Sequence, residues 1–261
     1  MFPELFNFGE FTLHSYGFFI GLGTYLSFLF LSKSLNKSLS IPEDDIVTLF
    51  LLLIIVSFVG GKVFFYLEDF SFYVENPKYF IRNIGNGFVF YGSLIFTIPT
   101  MILFFKKQNW PVWEVLDHMA ITVCIVHLFG RIGCFMAGCC YGLPTDLPWG
   151  ITYSNPICAA DPLNVPLHPT QIYEVMMIFF IGLFLFYLLK YKHQFNGQIF
   201  LTYLILYTIG RSIIEVYRGD VARGFIVDDW ISHSQGISIV LIVITVFIYM
   251  NKRKEKEMNN Y

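Results

Sequence analysis

Seven apolar stretches, at about residues 13–32, 46–67, 88–105, 115–134, 172–189, 199–217 and 231–250, constrain most strongly what this chain can fold into. Each approaches the roughly 20 residues a helix needs to cross a bilayer. Within hydrocarbon the backbone must satisfy its own hydrogen bonds, so stretches of this kind form helices. The sequence therefore predicts an all-α polytopic membrane protein with about seven transmembrane helices. The third and last stretches are short or interrupted, and Pro99 predicts a kink in the third, which neighbouring helices tolerate. Composition agrees: 14% of residues are charged, against about 25% in soluble domains. A net charge of −2 excludes a nucleic-acid partner.

The opening MFPELFNFGE lacks the basic region of a signal peptide, so the first stretch is expected to be retained as a span. Residues 1–250 read as a single transmembrane domain with an extracytoplasmic loop region at 136–170, and 251–261 as a basic cytoplasmic tail. Loop charges orient the chain, because cytoplasmic loops collect lysine and arginine. One set of alternate loops carries Lys33, Lys37, Lys106, Lys107, Lys190, Lys192, Lys252, Arg253, Lys254 and Lys256. The other carries Lys78, Arg82, Arg218 and Arg223. The expected N-terminus is outside and the C-terminus cytoplasmic.

That topology sets the depth of each unusual residue. Lys62, Arg131 and Arg211 fall late in outward-running spans, and Tyr16 and Tyr91 early in inward-running ones. All five are expected in the outer half of the membrane. An arginine at a helix centre costs at least about 2.5–3.5 kcal/mol and normally faces the bundle interior with a partner. Tyr207, Arg211, Glu215 and Arg218 form a polar stripe at helical spacing, and Glu215 can pair with Arg211 one turn away. Lys62 and Arg131 have no carboxylate close in sequence. A structural ion pair explains Arg211 alone, whereas a shared anionic ligand explains all three cations. In the outer leaflet a phospholipid headgroup fits that depth and charge, and the planar fork of arginine suits phosphate. His127, one turn before Arg131, reads as a core histidine or as a proton carrier. The segment LHPTQIYE opens the fifth span with His168, Gln171, Tyr173 and Glu174.

Cys134, Cys139, Cys140 and Cys158 fall at or beyond the outer end of the fourth span, on the oxidising side. A disulfide from Cys158 to the 134–140 segment, a redox pair and a metal site are the three readings. The intervals of five, one and eighteen residues lack the Cys-x-x-Cys spacing of zinc sites, so no metal is expected. Cys124, in mid-span, reads as packing.

Six segments, in order, resemble the prolipoprotein diacylglyceryl transferase family of bacterial inner membranes over roughly residues 14 to 235. SYGFFIGLG resembles the family's first span, VGGKVFFY its GGR-x-x-Y segment and FYGSL its HGGL motif. GRIGCFMAGCCYG resembles the signature G-R-x-G-N-F-x-N-x-E-x-x-G. LHPTQIYE resembles H-P-[ST]-Q-x-Y-E, and YTIGRSIIEVYR resembles Y-G-x-x-R-x-x-x-E-x-x-R.

The resemblance implies transfer of the diacylglyceryl group of phosphatidylglycerol to the lipobox cysteine of a preprolipoprotein signal peptide. A thioether forms and glycerol-1-phosphate leaves, the first step of lipoprotein maturation. By motif position the implied catalytic residues are Arg131, Arg211, Tyr91, Tyr207 and Glu215. The implied phosphatidylglycerol-binding residues are Tyr16, Lys62, Arg131, Arg211, Arg218, His168 and Gln171. Arg131 and Arg211 would neutralise the leaving phosphate, Tyr16 and Tyr207 position the headgroup, and Glu215 and Arg218 hold the site at the outer surface. No cofactor is implied, and the partners are membrane lipids and the lipobox peptide.

Three positions depart from the family pattern: Tyr91 replaces the HGGL histidine, Cys134 the signature asparagine and Cys139 the signature glutamate. Tyrosine, with a pKa near 10, is a poor base at neutral pH, which leaves His14, His127 or His168 as alternative proton acceptors. A thiol pKa near 8.5 means that forming the attacking thiolate at pH 7 costs only about 2 kcal/mol, which nearby arginines can supply. Competing readings are a divergent phospholipid-binding member with another acceptor, a membrane thiol–disulfide oxidoreductase and an anion channel. The oxidoreductase lacks a Cys-x-x-Cys motif, and the channel lacks polar residues through the inner half of the spans.

Overall fold

A computed structural model describes residues 1–9, 11–82, 87–219, 225–227 and 231–259. Arg223 of the loop-charge comparison and the last two residues of the tail lie outside the described residues. Every apolar stretch falls on a long helix: α1 (Ser15–Leu39), α2 (Glu43–Glu68), α5 (Phe90–Lys107), α6 (Val112–Ala137), α7 (Thr170–Tyr191), α8 (Gln198–Glu215) and α9 (His233–Asn259). Two short helices, α3 (Phe70–Glu75) and α4 (Pro77–Arg82), follow α2. Three small two-stranded antiparallel sheets complete the described structure: β1 (Glu4–Phe8) with β2 (Phe11–His14), β3 (Ile151–Thr152) with β4 (Pro166–Leu167), and β5 (Phe225–Val227) with β6 (Ile231–Ser232).

Among the described residues, five helices, including α1, α2, α6 and α7, are long and apolar enough to cross a membrane; the fifth covers Gln235–Met258 of α9. Helices α5 and α8 have 18 residues each, with Pro99 inside α5 and both Arg211 and Glu215 in α8. Large apolar side chains cover outward faces, among them Leu51, Ile54 and Phe58 on α2 and Phe180, Leu183 and Phe184 on α7. Exposed apolar surface on this scale suits contact with lipid.

The chain divides into two compact units, residues 32–115 and residues 1–31 with 116–261. The first is built on the α2–α5 pair, which meets through small residues. A Cβ on Gly60 would fall 2.6 Å from the Gly92 carbonyl oxygen, and one on Gly92 only 2.4 Å from that of Gly60. Ser93 Oγ donates to the Ser57 carbonyl at 2.7 Å across the same contact. Close backbone approach through glycine and serine is how helices associate where no hydrophobic drive separates protein from solvent. Acidic Glu43, Asp44 and Asp45 open α2, and Lys106 and Lys107 close α5, each matching the helix dipole.

The second unit packs α6, α7 and α8 around a core of Ile121, Cys124, Ile178, Leu185, Ile199 and Tyr203, and α9 packs against α8. One end is fixed by Asp117 of α6, which is 1% exposed. Its carboxylate accepts from the Gly197 and Phe200 amides at 2.8 and 2.9 Å and from His193 Nε2 at 2.9 Å. A neighbouring helix thus supplies the anion that the open N–H groups starting α8 require. Helix α9 carries the basic tail as far as Asn259, where Lys256 donates to the Gln194 carbonyl.

Gly92→Leu is expected to cost about 1–3 kcal/mol by overpacking the α2–α5 contact, lowering the thermal midpoint of the detergent-purified protein. Gly21→Ala is the control, since a Cβ there meets nothing within 4 Å and the midpoint should hold.

Candidate active site

Helix α7 starts with Thr170, Gln171 and Glu174 fully buried. From there Glu174 reaches the two neighbouring helices. Arg131 Nε of α6 lies 2.5 Å from Glu174 Oε2, His127 Nε2 lies 3.7 Å from the same oxygen, and Arg211 Nη1 of α8 lies 3.8 Å from Oε1. Arg211 Nη1 also lies 2.7 Å from Glu215 Oε2. The i, i+4 pair read from the sequence is present. The apparent lack of a partner for Arg131 is not: its carboxylate comes from α7, which sequence proximity could not reveal.

Arg131 makes its contacts through Nε alone among the described residues, donating to His127 Nε2 at 3.4 Å besides pairing with Glu174. Its two terminal amino groups have no partner among the described residues. Arg211 Nη1 is buried, yet its N–H groups align with neither carboxylate as a hydrogen bond. Tyr207 packs its ring against His127 at 5.2 Å and lies within electrostatic reach of Arg131, Arg211 and Arg218. Tyr16 sits where α1 crosses α6: a Cβ on Gly133 would approach its Cα to 3.2 Å, and Arg131, Cys134, Cys139 and Cys140 are in electrostatic reach.

The segment between α6 and α7 is sewn down on several sides. Gly142 donates to the His168 carbonyl, His168 to that of Leu143, and Leu143 to that of Tyr217 after α8. Arg218 faces Gly142 across a bridge. The His168 ring shares a 3.1 Å hydrogen bond with the Tyr173 hydroxyl, which also accepts from Trp149 Nε1 at 2.9 Å. Gln171 Nε2 donates to the Cys139 carbonyl at 2.7 Å and to Tyr153 Oη at 3.1 Å. Beneath lie Tyr153, Cys158, Ala160 and Leu167. Burial pushes the Tyr153 phenol up to about 12.

All five cysteines are free. Cys158 packs its Cβ against Gly138 instead of closing the disulfide considered from the sequence. Cys140 is held well below the usual thiol range by hydrogen bonds from the Cys134 and Cys139 thiols, helped by the positive charges of Arg131 and Arg218. Cys139, as a donor within this group, is pushed up.

The structure therefore brings together Tyr16, Arg131, Tyr207, Arg211, Glu215 and Arg218. His168 lies in the loop that covers this end, and Gln171 in the first turn of α7 holds that loop. Lys62 and Tyr91 belong to the other unit, where Lys62 is buried with its ammonium 5.3 Å from the Phe65 ring centre and 5.9 Å from that of Tyr66. Tyr91 is 65% exposed at the start of α5. Glu174 and His127 were in view in the sequence but not among its site residues. The signal for Glu174 was the glutamate that closes LHPTQIYE.

The family model "Prolipoprotein diacylglyceryl transferase" matches residues 3–251. A phosphatidylglycerol–prolipoprotein diacylglyceryl transferase of Clostridium tetani is 38% identical over 255 residues, covering 98% of this chain and 99% of its own. One of Clostridium perfringens is 35% identical, covering 94% and 93%, and one of Finegoldia magna is 31% identical, covering 92% and 91%.

Breaking a buried ion pair from one side strands the other charge, at a typical cost of 3–5 kcal/mol, whereas replacing both partners by apolar groups is often neutral. Glu174→Ala should therefore lower the thermal midpoint sharply. Arg131→Met combined with Glu174→Met should recover most of the loss in the same melting assay. A second expectation concerns alkali. The raised Tyr153 pKa means that the unfolded phenol ionises first, from its ordinary 10.0, while the folded one resists to about 12. Its stability contribution is intact below about pH 10 and is lost as pH rises toward about 12. Tyr153→Phe should flatten the melting-temperature profile across that window.

Proposed function

The chain belongs to the prolipoprotein diacylglyceryl transferase family, a family of transferases, and from that premise we propose that it transfers the diacylglyceryl group of phosphatidylglycerol to the lipobox cysteine of a preprolipoprotein. The observation that carries this reading is the pair of guanidinium groups converging on Glu174. Arg131 retains its terminal amino groups, and Arg211 has a buried N–H without an aligned acceptor. A buried donor without its hydrogen bond costs about 1–3 kcal/mol, and a phosphate oxygen supplies what is missing. As charge develops on the leaving phosphate, donors already in place stabilise it without reorganising.

In the proposed reaction the substrate thiol sulfur attacks the glycerol carbon bonded to the phosphate oxygen. The C–S bond forms, the C–O bond breaks, and glycerol-1-phosphate leaves. The thiol proton needs an acceptor. Of Tyr91, His14, His127 and His168, His127 is the one in contact with Arg131 and Glu174, and we assign it that part. Tyr16 and Tyr207 flank the headgroup, Glu215 and Arg218 hold the outer rim, and His168 and Gln171 act by positioning the loop. The parts proposed for Lys62, as a phosphate-binding cation, and for Tyr91, as a hydrogen-bond donor, rest on their motif positions. An apolar groove of about 450 Å³ between α8 and α9, lined by Ile209, Ile213, Val216 and Ile239, offers room for an acyl chain.

The proposed topology has seven spans, α5 and α8 included, in one transmembrane domain of residues 1–250. The N-terminus is outside, residues 136–170 are extracytoplasmic, and the tail at 251–261 is cytoplasmic. This places the site in the outer leaflet of a bacterial inner membrane, as the lysine and arginine distribution favours.

Purified protein is expected to form thioether product from labelled phosphatidylglycerol and a lipobox peptide. Arg131→Ala and Arg211→Ala should each lower turnover by at least about 100-fold, the scale for losing one preorganised oxyanion donor. A variant with Ser at Cys134, Cys139, Cys140 and Cys158 should still form product. Product lost only in the cysteine variant would favour thiol chemistry instead.

A further inference from the structure

Three thiols with no part in the proposed reaction converge where α6 ends. Cys134 lies buried in the last turn of α6. The chain then reverses through Gly138, at φ +78, and Cys140, at φ 60. The amides of Gly138 and Cys139 both donate to the Cys134 carbonyl, at 2.9 and 3.1 Å. This reversal folds Cys139 and Cys140 back over Cys134, and the three sulfurs lie within 4.8 Å of one another. The turn is also held from α7. Thr170 Oγ1 donates to the Cys140 carbonyl and Gln171 Nε2 to that of Cys139, each at 2.7 Å, and both side chains are 1% exposed.

That arrangement has the dimensions of a metal site. A d10 ion bound at about 2.3 Å from each sulfur sets the sulfurs roughly 3.8–4.0 Å apart. Closing from 4.8 Å requires less than about 1 Å of movement, within reach of side-chain rotation on a fixed turn. Three thiolates and a divalent ion leave one net negative charge, and Arg131 and Arg218 bring compensating positive charge to Cys140. Thiolate sets select soft ions over magnesium or calcium.

We propose that Cys134, Cys139 and Cys140 form a three-sulfur site for a divalent d10 cation of the zinc class, separate from the Glu174 ion pairs and independent of the transferase reading. One ion enters, three metal–sulfur bonds form, and each ligand sulfur that still carries a proton releases it to solvent. No electron changes hands. A water completes the coordination, as in zinc sites with three protein ligands.

The test is a Cd2+ titration of the full chain in detergent, after reduction with a phosphine and removal of metal by chelator. The expected result is an ultraviolet sulfur-to-cadmium charge-transfer band that saturates at one equivalent, with proton release and displacement by Zn2+. Cys139→Ser and Cys140→Ser, at the turn and outside the packed helix, should each weaken binding by more than about 100-fold, beyond the 10–100-fold typical of a supporting residue. Cys124→Ser and Cys158→Ser should bind like the parent. Absence of the band from reduced, monodisperse protein overturns the proposal. So does a band that survives in both turn variants, or one that vanishes with Cys158→Ser.

Discussion

Glu174 is 2% exposed, and two arginines and a histidine from the flanking helices lie within ion-pair distance of it. None of these charges is tolerable alone at that depth. A bare arginine among apolar helices is costly, and a bare buried carboxylate is no better. Each therefore fixes the others, and with them the relative rotation of α6, α7 and α8. Among the described residues, the same pairing leaves the terminal amino groups of Arg131 and a buried amino group of Arg211 without aligned acceptors. An ion-pair network that satisfied every donor would hold three helices together and do nothing else. This one holds them and leaves donors without an aligned acceptor among the described residues, the feature on which the proposed phosphate contact rests.

The loop between α6 and α7 depends on that core and reinforces it. It begins at the left-handed turn after α6, is threaded through Gly142, His168 and Tyr217, and returns through Pro169 into α7. Gln171 is the clearest link. Its buried amide holds the Cys139 carbonyl and the Tyr153 hydroxyl together, one turn from Glu174 on the same helix. Two residues that the motif offered as lipid contacts, His168 and Gln171, thus each commit a side-chain nitrogen to holding this region: His168 Nδ1 to Tyr173, and Gln171 Nε2 to Cys139 and Tyr153.

Much of the helical fold was legible in the sequence because apolar length is a strong and local signal: all seven stretches fall on long helices. The β1–β2 pair and the short helices after α2 carry no such signal and went unread. At the site, the i, i+4 pair of Arg211 with Glu215 was legible because one helix supplies both residues. The partner of Arg131 was not, since it stands on another helix and only packing joins them. The cysteines mark the other limit of sequence reasoning. Spacing rules for metal sites assume ligands presented by a familiar turn. Here a left-handed residue at Cys140 folds adjacent cysteines back onto a third, so intervals that looked unsuitable produce a compact sulfur triad.

The central claim is that Arg131 and Arg211 recognise the phosphate of the lipid, not its acyl chains. It is tested most directly by equilibrium binding of phosphatidylglycerol and of uncharged diacylglycerol to the protein in nanodiscs of neutral lipid. Parent protein is compared with Arg131→Gln and Arg211→Gln. The account predicts that phosphatidylglycerol binding falls at least about tenfold in each variant, for the loss of a charge-assisted hydrogen bond of about 1.5–3 kcal/mol, while diacylglycerol binding is unchanged. Phosphatidylglycerol bound equally well by parent and both variants would contradict it, leaving the arginines as structural partners of Glu174 alone.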